Sequence, residues 1–368
     1  MPASMLPARL QALRAALAAH DPPLDTLLLT DLTNIGYITG FTGSTAYALV
    51  SAGEALFITD PRYTARARRE CSGFDVVEAS GSGSYGEALH NVLAMHPQWQ
   101  RVGFEAGHVS VAQARTLGAE NPAPVQWTPT EGLVETLRLV KDAGEIETIR
   151  QAIAIAEAAF VQTKPVIKAG ATEREIALAL EFAMRQGGAD GAAFPVIVAS
   201  GTQGANPHHA PNARALEPGD FVTIDWGASV GGYHSDITRT LAIGGVSPRQ
   251  REVYDAVREA QRLAIAAIAP GTNGKQIDAV ARDYLAAQGL GKAFGHGLGH
   301  SLGRHVHDGG GLSVRMESFV LKAGMVLTVE PGVYIEDWGG LRLEEDVLVA
   351  ENGCETLTHL PNDLEMLG

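Results

Sequence analysis

The sequence predicts an α+β protein with two domains, a smaller α/β domain over residues 1–135 and a larger domain over residues 136–368. In the larger domain, a pair of helix patterns precedes each of two glycine-glycine pairs that lie between apolar strands bearing acidic residues. In the smaller domain, short apolar strand patterns alternate with helical segments, which is typical of an α/β layer. With 368 residues and 45% apolar composition, the chain can build two separate cores.

The N-terminal domain is predicted to begin with an amphipathic helix, one face of which carries Leu6, Leu10, Leu13 and Leu17. Arginines in this segment interrupt any signal-peptide core. Short strands are expected at residues 26–29, 46–50 and 55–58. Helices are expected to begin near Arg62 and Tyr85. This domain offers no catalytic constellation, so the chemistry is predicted for the larger domain.

Two pairs of helices are predicted in the larger domain, at residues 142–163 and 172–187, and again at residues 248–267 and 275–288. Thr172 and Glu175 have the spacing of a capping box. Ser247 followed by Pro248 is a helix-start signal. Because each pair leads into an acidic strand pattern, the repeated order predicts an internal duplication.

The first glycine pair, Gly231-Gly232, is a strong hairpin signal, because a type I′ turn needs positive φ at both central residues. A two-residue turn there sets Val230 opposite Tyr233. The same register sets Asp225 opposite Thr238.

That register also places Asp236 opposite Gly227, so Asp225 and Asp236 become diagonal neighbours on one face of the sheet. Diagonal neighbours lie roughly 7–8 Å apart at the backbone, and a glycine leaves room for the carboxylates to converge. Two carboxylates this close on a half-buried strand resist ionisation unless a cation lies between them. For one hairpin alone, a solvated acidic face is the simpler interpretation.

The second pair, Gly339-Gly340, predicts a second two-residue turn, which sets Glu344 opposite Ile335. Glu330 ends the preceding apolar run, directly before Pro331-Gly332. Because Pro-Gly should break the strand, the pairing register does not place Glu330.

Most of the 12 histidines fall between His208 and His307, and the densest stretch is residues 294–308. His296 and His300 have the spacing of a helical zinc site, but Gly297 stands where the HExxH motif needs glutamate. Each glycine of this stretch would cost a helix about 1 kcal/mol, so a loop or irregular strand is expected. The alternative is a glycine-rich surface loop with incidental histidines.

One imidazole with four carboxylates forms a hard, oxygen-rich ligand set. Such a set suits Mn²⁺, Co²⁺ or Zn²⁺, and two ions would balance four negative charges. Calcium is disfavoured because it takes oxygen ligands and leaves the histidine unused. Two metal ions can share a bridging hydroxide as nucleophile and polarise a carbonyl, so the predicted chemistry is hydrolysis.

Five segments resemble the pita-bread metallopeptidases, and within them the proline-specific branch of aminopeptidases P and prolidases. They are GANPHH (204–209), TIDWGASVGGYHSDITRT (223–240), HGLGHSLGRHVHD (296–308), VEPGVYIE (329–336) and GGLRLEEDVLV (339–349). The N-terminal segment NIGYITGFTGS…LFITDPRYTARA resembles the creatinase-type first domain of that branch. The resemblance implies a pita-bread catalytic domain, in which duplicated helix-helix-hairpin units surround a curved antiparallel sheet.

The resemblance also implies the metal ligands, which are Asp225, Asp236, His300, Glu330 and Glu344. Two divalent ions per chain are expected, with manganese first and zinc or cobalt as alternatives. Asp236 and Glu344 match the carboxylates that span both ions in the family.

Catalytic and substrate-contacting roles are implied for three histidines: His208, His296 and His307. His209 is then a bystander. Tyr233 resembles an aromatic residue near the first metal that contacts substrate, with strand packing as the alternative. Arg342 matches an arginine that fixes a carboxylate through a forked hydrogen bond, with a solvated surface charge as the alternative.

The expected function is an Xaa-Pro aminopeptidase that acts on peptides with proline at the second position, with Glu330 accepting the proton of the attacking water. The main alternative is an Xaa-Pro dipeptidase, in which Arg315 binds the free carboxylate of a dipeptide. A solvated loop charge is the other interpretation of Arg315, and the sequence slightly favours it. More remote alternatives are a non-catalytic peptide-binding member of the fold, a methionine aminopeptidase and a metal-free amidinohydrolase.

The composition restricts the partners and the compartment. The net charge of −14 argues against nucleic acid, and no apolar run approaches the ~20 residues that cross a membrane. Two cysteines, Cys71 and Cys354, indicate a reducing compartment, so a cytoplasmic protein is expected. The resemblance implies a homodimer or larger homo-oligomer.

Overall fold

The structure, a computed structural model, describes residues 5–79, 85–119 and 125–368. The chain divides into two units, Met1–Arg138 and Leu139–Gly368. The domain limit expected at residue 135 falls where a short helix, Glu135–Leu139, begins. Among the described residues, no helix is both long and apolar enough to span a bilayer.

The first unit is built on a mixed β-sheet with the strand order β4-β3-β2-β1-β5-β6. Its strands are β1 (Thr26–Leu29), β2 (Tyr47–Ser51), β3 (Ala55–Thr59), β4 (Asp75–Glu78), β5 (Arg101–Glu105) and β6 (Gln126–Thr130). The helices that begin in it are α1 (Leu6–Ala19), α2 (Leu32–Thr39), α3 (Thr64–Glu70), α4 (Tyr85–Met95), α5 (Val111–Ala119) and α6 (Glu135–Leu139). The leucine face of α1 is buried, as its periodicity predicts.

The second unit contains longer helices and several small sheets. Its helices are α7 (Ala143–Thr163), α8 (Glu173–Gln186), α9 (Pro248–Ala267) and α10 (Gly274–Ala287), with short 3-10 turns at Lys164–Val166 and Gly201–Ala205. Its first strands are β7 (Gly191–Ala192), β8 (Ile197–Ser200), β9 (Phe221–Trp226), β10 (Ala228–Val230), β11 (Tyr233–His234) and β12 (Ile237–Ile243). The later strands are β13 (Gly299–His300), β14 (Gly311–Leu312), β15 (Val326–Val329), β16 (Gly332–Ile335), β17 (Gly339–Arg342), β18 (Glu345–Ala350), β19 (Gly353–Thr356) and β20 (Met366–Leu367).

The predicted helix pairs are confirmed, and each observed limit lies within one residue of the predicted one. Thr172 and Glu175 form the expected capping box, and Ser247 caps α9 with Pro248 in the first turn. The pair α7–α8 precedes the antiparallel strands β9 and β12, and the pair α9–α10 precedes the antiparallel strands β15 and β18. The second unit therefore repeats one helix-helix-strand arrangement.

The first hairpin has the predicted register. Val230 pairs with Tyr233, and Asp225 pairs with Thr238. Gly231 and Gly232 have φ values of 56° and 78°, so both occupy the left-handed region that a type I′ turn requires. The turn chemistry and the strand period together fix this part of the sheet.

The predicted register of the second hairpin is wrong. Ile335 pairs with Gly339 rather than with Glu344, so the turn lies over residues 336–338 and the glycine pair belongs to β17. Asp337 supplies the positive φ, at 60°. The glycines serve close packing: a side chain on Gly340 would lie 2.2 Å from the Gly204 carbonyl oxygen.

Strand β9 is anchored beside Asp225 by its last residue. The Trp226 ring is fully buried and stacks on Phe160 of α7, with the ring centroids 4.5 Å apart. The indole N–H donates to the Ala156 carbonyl oxygen at 2.9 Å. Packing and hydrogen bonding thus hold the backbone of β9 directly next to the predicted metal ligand.

We expect Gly227→Ala to destabilise the second unit, because the added carbon would lie 1.9 Å from the Ser235 carbonyl oxygen. Strands must separate to admit it, which costs about 1–3 kcal/mol and lowers the thermal unfolding midpoint by several degrees. The matched control is Gly245→Ala, between β12 and α9, where no heavy atom lies within 4 Å of the added carbon. Equal midpoints for the two variants would contradict this packing.

Candidate active site

A cleft in the second unit has a volume of about 870 Å³ and gathers most of the residues singled out from the sequence. The predicted site residues that line it are His208, Asp225, Asp236, His296, His300, His307, Glu330, Arg342 and Glu344. Its lining also contains an apolar segment, residues 194–197, and Val306. The cleft therefore combines a polar, acidic part with an apolar wall.

The acidic part of the cleft converges on His300. Asp236, His300 and Glu344 each offer one ligand atom, and these atoms lie within 4.8 Å of one another. Glu330 joins them, because its Oε1 lies 3.4 Å from His300 Nε2. Asp225 joins from β9, where Arg342 Nη2 donates to its Oδ2 at 2.5 Å. These five residues are called the acidic cluster below.

Threonine hydroxyls orient two carboxylates of the acidic cluster, and a backbone hydrogen bond to Asp346 fixes the chain at Asp236. Thr238 Oγ1 donates to Glu344 Oε2 at 2.6 Å, and Thr328 Oγ1 donates to Glu330 Oε1 at 3.3 Å. The backbone N–H of Asp236 donates to Asp346 Oδ2 at 3.1 Å. Neutral hydroxyl donors thus hold Glu344 and Glu330, whereas the charged Arg342 holds Asp225.

The electrostatics of the acidic cluster follow from burial. Burial raises the pKa values of Asp236 and Glu344 well above their usual range, and the neighbouring carboxylates raise them further. Burial also raises the pKa of Glu330 to about 7. Burial lowers the pKa of His300 to about 3, so its imidazole is neutral and keeps a lone pair for a metal.

The acidic cluster fits divalent metal ions. Four carboxylates and one neutral imidazole are a donor set for Mn²⁺, Co²⁺ or Zn²⁺. Asp225 Oδ1 is buried, and no described residue gives it a hydrogen bond, so this acceptor is available to a cation. A cation would also relieve the repulsion that raises the pKa values of the acids.

Arg342 differs from its expected geometry. Its guanidinium does not make a bidentate pair of hydrogen bonds to one carboxylate. Besides Asp225, its Nη1 donates to the Tyr334 hydroxyl at 2.8 Å and its Nε donates to Thr238 Oγ1 at 3.1 Å. Only 3% of the residue is exposed, so it is not a solvated charge either. Through these hydrogen bonds Arg342 connects β9, β12 and β16.

Tyr233 does not line the cleft, which corrects its expected contact with substrate. Its ring is fully buried, and its hydroxyl donates to Glu145 Oε1 at 2.7 Å, because strand alternation turns it towards α7. Tyr334 lines the cleft instead, and its hydroxyl lies 3.1 Å from His296 Nε2. The sequence could have indicated Tyr334, because it lies four residues after the predicted metal ligand Glu330.

The three histidines with expected catalytic roles all reach the cleft. His296 bonds to Tyr334, and burial lowers its pKa to about 4. The His307 ring lies beside the His300 ring, with centroids 4.1 Å apart. His208 lies on the segment between residues 207 and 211 that lines the cleft.

Arg315 and His209 were also considered in the sequence analysis. Arg315, the candidate for binding a substrate carboxylate, is exposed and does not line the described cleft. His209, expected to be a bystander, does line it, and its Nε2 lies 2.8 Å from the buried Glu173 Oε2. No local sequence motif predicts this position of His209, because its partner Glu173 is 36 residues away in the sequence.

Both units match known domain families. Residues 147–351 match the model of metallopeptidase family M24. Residues 9–140 match the creatinase/prolidase N-terminal domain.

Solved structures and curated relatives match over almost the whole chain. The Xaa-Pro dipeptidase from Bacillus anthracis has a TM-score of 0.93 and 38% identity, and covers 98% of this chain and 100% of its own. The X-Pro aminopeptidase from Thermotoga maritima has a TM-score of 0.86 and 40% identity, and covers 94% and 98%. The Xaa-Pro dipeptidase of Pyrococcus furiosus is 34% identical over 93% of this chain and 95% of its own.

The fold, the acidic cluster and these matches define a metallopeptidase with a pita-bread catalytic domain and a creatinase-type N-terminal domain. The chain belongs to metallopeptidase family M24 and is a hydrolase. The predicted family and fold class are confirmed.

We expect His300→Ala to weaken the binding of divalent metal by more than about tenfold, because the imidazole is the one nitrogen donor of the acidic cluster. The measurement is Mn²⁺ content after dialysis against known free concentrations, by elemental analysis. His359→Ala, at an exposed position, is the matched control. Equal metal content in the two variants would remove His300 from the site.

Proposed function

We propose that this enzyme is an Xaa-Pro dipeptidase, which hydrolyses the bond between the first residue and proline. The observation that carries the proposal is the acidic cluster at an apolar-walled cleft, in a chain that aligns end to end with proteins named Xaa-Pro dipeptidase. This alternative is favoured over the aminopeptidase that the sequence led us to expect. The aminopeptidase stays the second candidate, because the Thermotoga maritima structure carries that name.

The proposed metal ligands are the members of the acidic cluster: Asp225, Asp236, His300, Glu330 and Glu344. Two divalent ions, with manganese preferred, would balance the four carboxylates. When bound, such ions supply an activated water and polarise the scissile carbonyl. Three observations support metal binding by these residues: the types of their donor atoms, the burial of the aspartates and Glu344, and the Asp225 Oδ1 atom to which no described residue donates.

Glu330 is the proposed proton carrier. Its side chain is partly accessible from the cleft, and burial raises its pKa to about 7. A carboxylate at this place can accept a proton from the attacking water and return it to the departing nitrogen of proline. Thr328 holds the accepting Oε1 in place.

The apolar wall of the cleft is the proposed site for proline. An X-Pro bond has no N–H, so a peptidase cannot position it through that donor. The pyrrolidine ring must be recognised by shape, and residues 194–197 with Val306 offer an apolar surface for it. In this proposal His307 donates to the oxygen that gains charge, and His208 and His296 contact substrate.

We expect Glu330→Gln to lower kcat by at least about a hundredfold while the fold is retained, because glutamine cannot accept a proton. The matched control is Glu336→Gln, an exposed glutamate on the same hairpin. Turnover of Xaa-Pro dipeptides and the circular dichroism spectrum are measured together. Near-normal turnover in Glu330→Gln would remove its assigned role.

The proposed substrate class is tested by peptide length. We expect the enzyme to cleave Ala-Pro with a kcat/KM at least about tenfold above that for Ala-Pro-Ala, measured with saturating Mn²⁺. Comparable values for the two peptides would instead support the Xaa-Pro aminopeptidase.

A further inference from the structure

Five consecutive residues, 207–211, line one side of the cleft and belong to no helix or strand. They include His208, which is proposed above to contact substrate. The backbone N–H of His209 donates to the Asn206 carbonyl oxygen, which is close by in the sequence. Because no strand pairs with residues 207–211 within the described part of the chain, side chains must fix the position of this stretch.

The carboxylate of Glu173, the first residue of α8, is fully buried and does not line the cleft. Its Oε1 accepts from the backbone N–H and the hydroxyl of Ser200, at 2.9 and 2.6 Å. Its Oε2 accepts from the backbone N–H of Asn212 at 3.2 Å and lies 2.8 Å from His209 Nε2. One carboxylate thus contacts both ends of the segment 200–212 and a residue of the cleft wall between them.

The side chain of Gln203 adds a contact from inside the same segment. One end of its amide lies 3.0 and 3.1 Å from the two oxygens of Glu173. The carboxylate would repel an amide oxygen there, so the nitrogen occupies this position and donates to Glu173. Arg342 adds only a long contact, 3.5 Å from its Nη1 to the Pro207 carbonyl oxygen. Glu173 is therefore the group on which the contacts of this segment converge.

The contacts of Glu173 do not depend on the charge of its neighbours. His209 can supply an N–H at Nε2 in its neutral or its protonated form. Positive charge near Glu173 comes from Arg214, whose Nη1 also donates to the Ser200 hydroxyl at 2.7 Å. Both arms of Arg214 donate to Asp220, at 2.6 and 3.0 Å, so the guanidinium stays paired whatever residue stands at position 173.

We infer that Glu173 is a positioning residue for substrate binding, which fixes residues 207–211, and with them His208, on the wall of the cleft. This inference rests on the proposed function, in which His208 contacts substrate. The members of the acidic cluster lie on other parts of the chain. Loss of the Glu173 contacts should therefore weaken the binding of substrate while the chemical step is largely kept.

The test is Glu173→Gln, which has nearly the same size but one acceptor fewer. Whichever way its amide is turned, its NH₂ group faces the backbone N–H of Ser200 or that of Asn212. With saturating Mn²⁺, we expect KM for Ala-Pro to rise about tenfold, with kcat within about threefold of the wild type. Glu175→Gln is the matched control: it makes the same change in the same helical turn, at an exposed side chain that accepts from Thr172, and should leave both constants unchanged.

Two further measurements separate positioning from a general loss of structure. The Mn²⁺ content of Glu173→Gln should equal that of the wild type. Amide hydrogen exchange should become at least about tenfold faster over residues 203–212, with β9 and β12 unchanged. Gln203→Ala removes one donor to the same carboxylate from outside the cleft lining, so it should raise KM in the same direction by a smaller factor.

An unchanged KM in Glu173→Gln, or a loss of kcat and Mn²⁺ content in place of the rise in KM, would overturn the inference. If Glu173→Gln does not fold, Gln203→Ala decides, and an unchanged KM in that variant overturns the inference. Failure of the wild-type enzyme to cleave Ala-Pro would instead contradict the proposed function, whereas the hydrogen-exchange result does not depend on activity.

Discussion

The catalytic unit depends on one electrostatic constraint: four carboxylates share a buried site with a neutral imidazole. Burial and mutual repulsion raise the pKa values of Asp236, Glu344 and Glu330. In such a site the acids either take up protons or are balanced by cations. The unpaired oxygen of Asp225 and the neutral His300 favour the second solution.

The duplicated architecture explains how acids so distant in sequence meet. The first repeat supplies Asp225 and Asp236 from the sheet of β9 and β12, and the second supplies Glu330 and Glu344 from the ends of β15 and β17. A hydrogen bond from Thr238 of the first repeat to Glu344 of the second ties the two together. The repeats thus build a site that neither could form alone.

Local chemistry predicted the parts of this structure that are decided locally. The capping boxes, the helix limits and the type I′ turn at Gly231-Gly232 all follow from residues within a few positions of one another. The Gly339-Gly340 pair looked the same in the sequence but packs against Gly204, which is distant in sequence. Tertiary packing, which the pattern does not contain, decided that register.

The same distinction applies to the site. Strand alternation correctly paired Asp225 with Thr238, and the family resemblance selected residues that line the cleft. Tyr233 was expected to contact substrate, but its hydroxyl bonds to Glu145, which is far away in the sequence. His209 likewise contacts the distant Glu173. These contacts depend on the tertiary fold and have no local sequence signal.

The most direct test of the central claim is proton release on metal binding. Apo-protein in weak buffer near pH 7 is titrated with Mn²⁺ while the pH is recorded. Because the carboxyl groups of the acidic cluster have raised pKa values, we expect about one proton or more per chain to be released as metal binds. Metal binding without proton release, or no binding, would contradict the account.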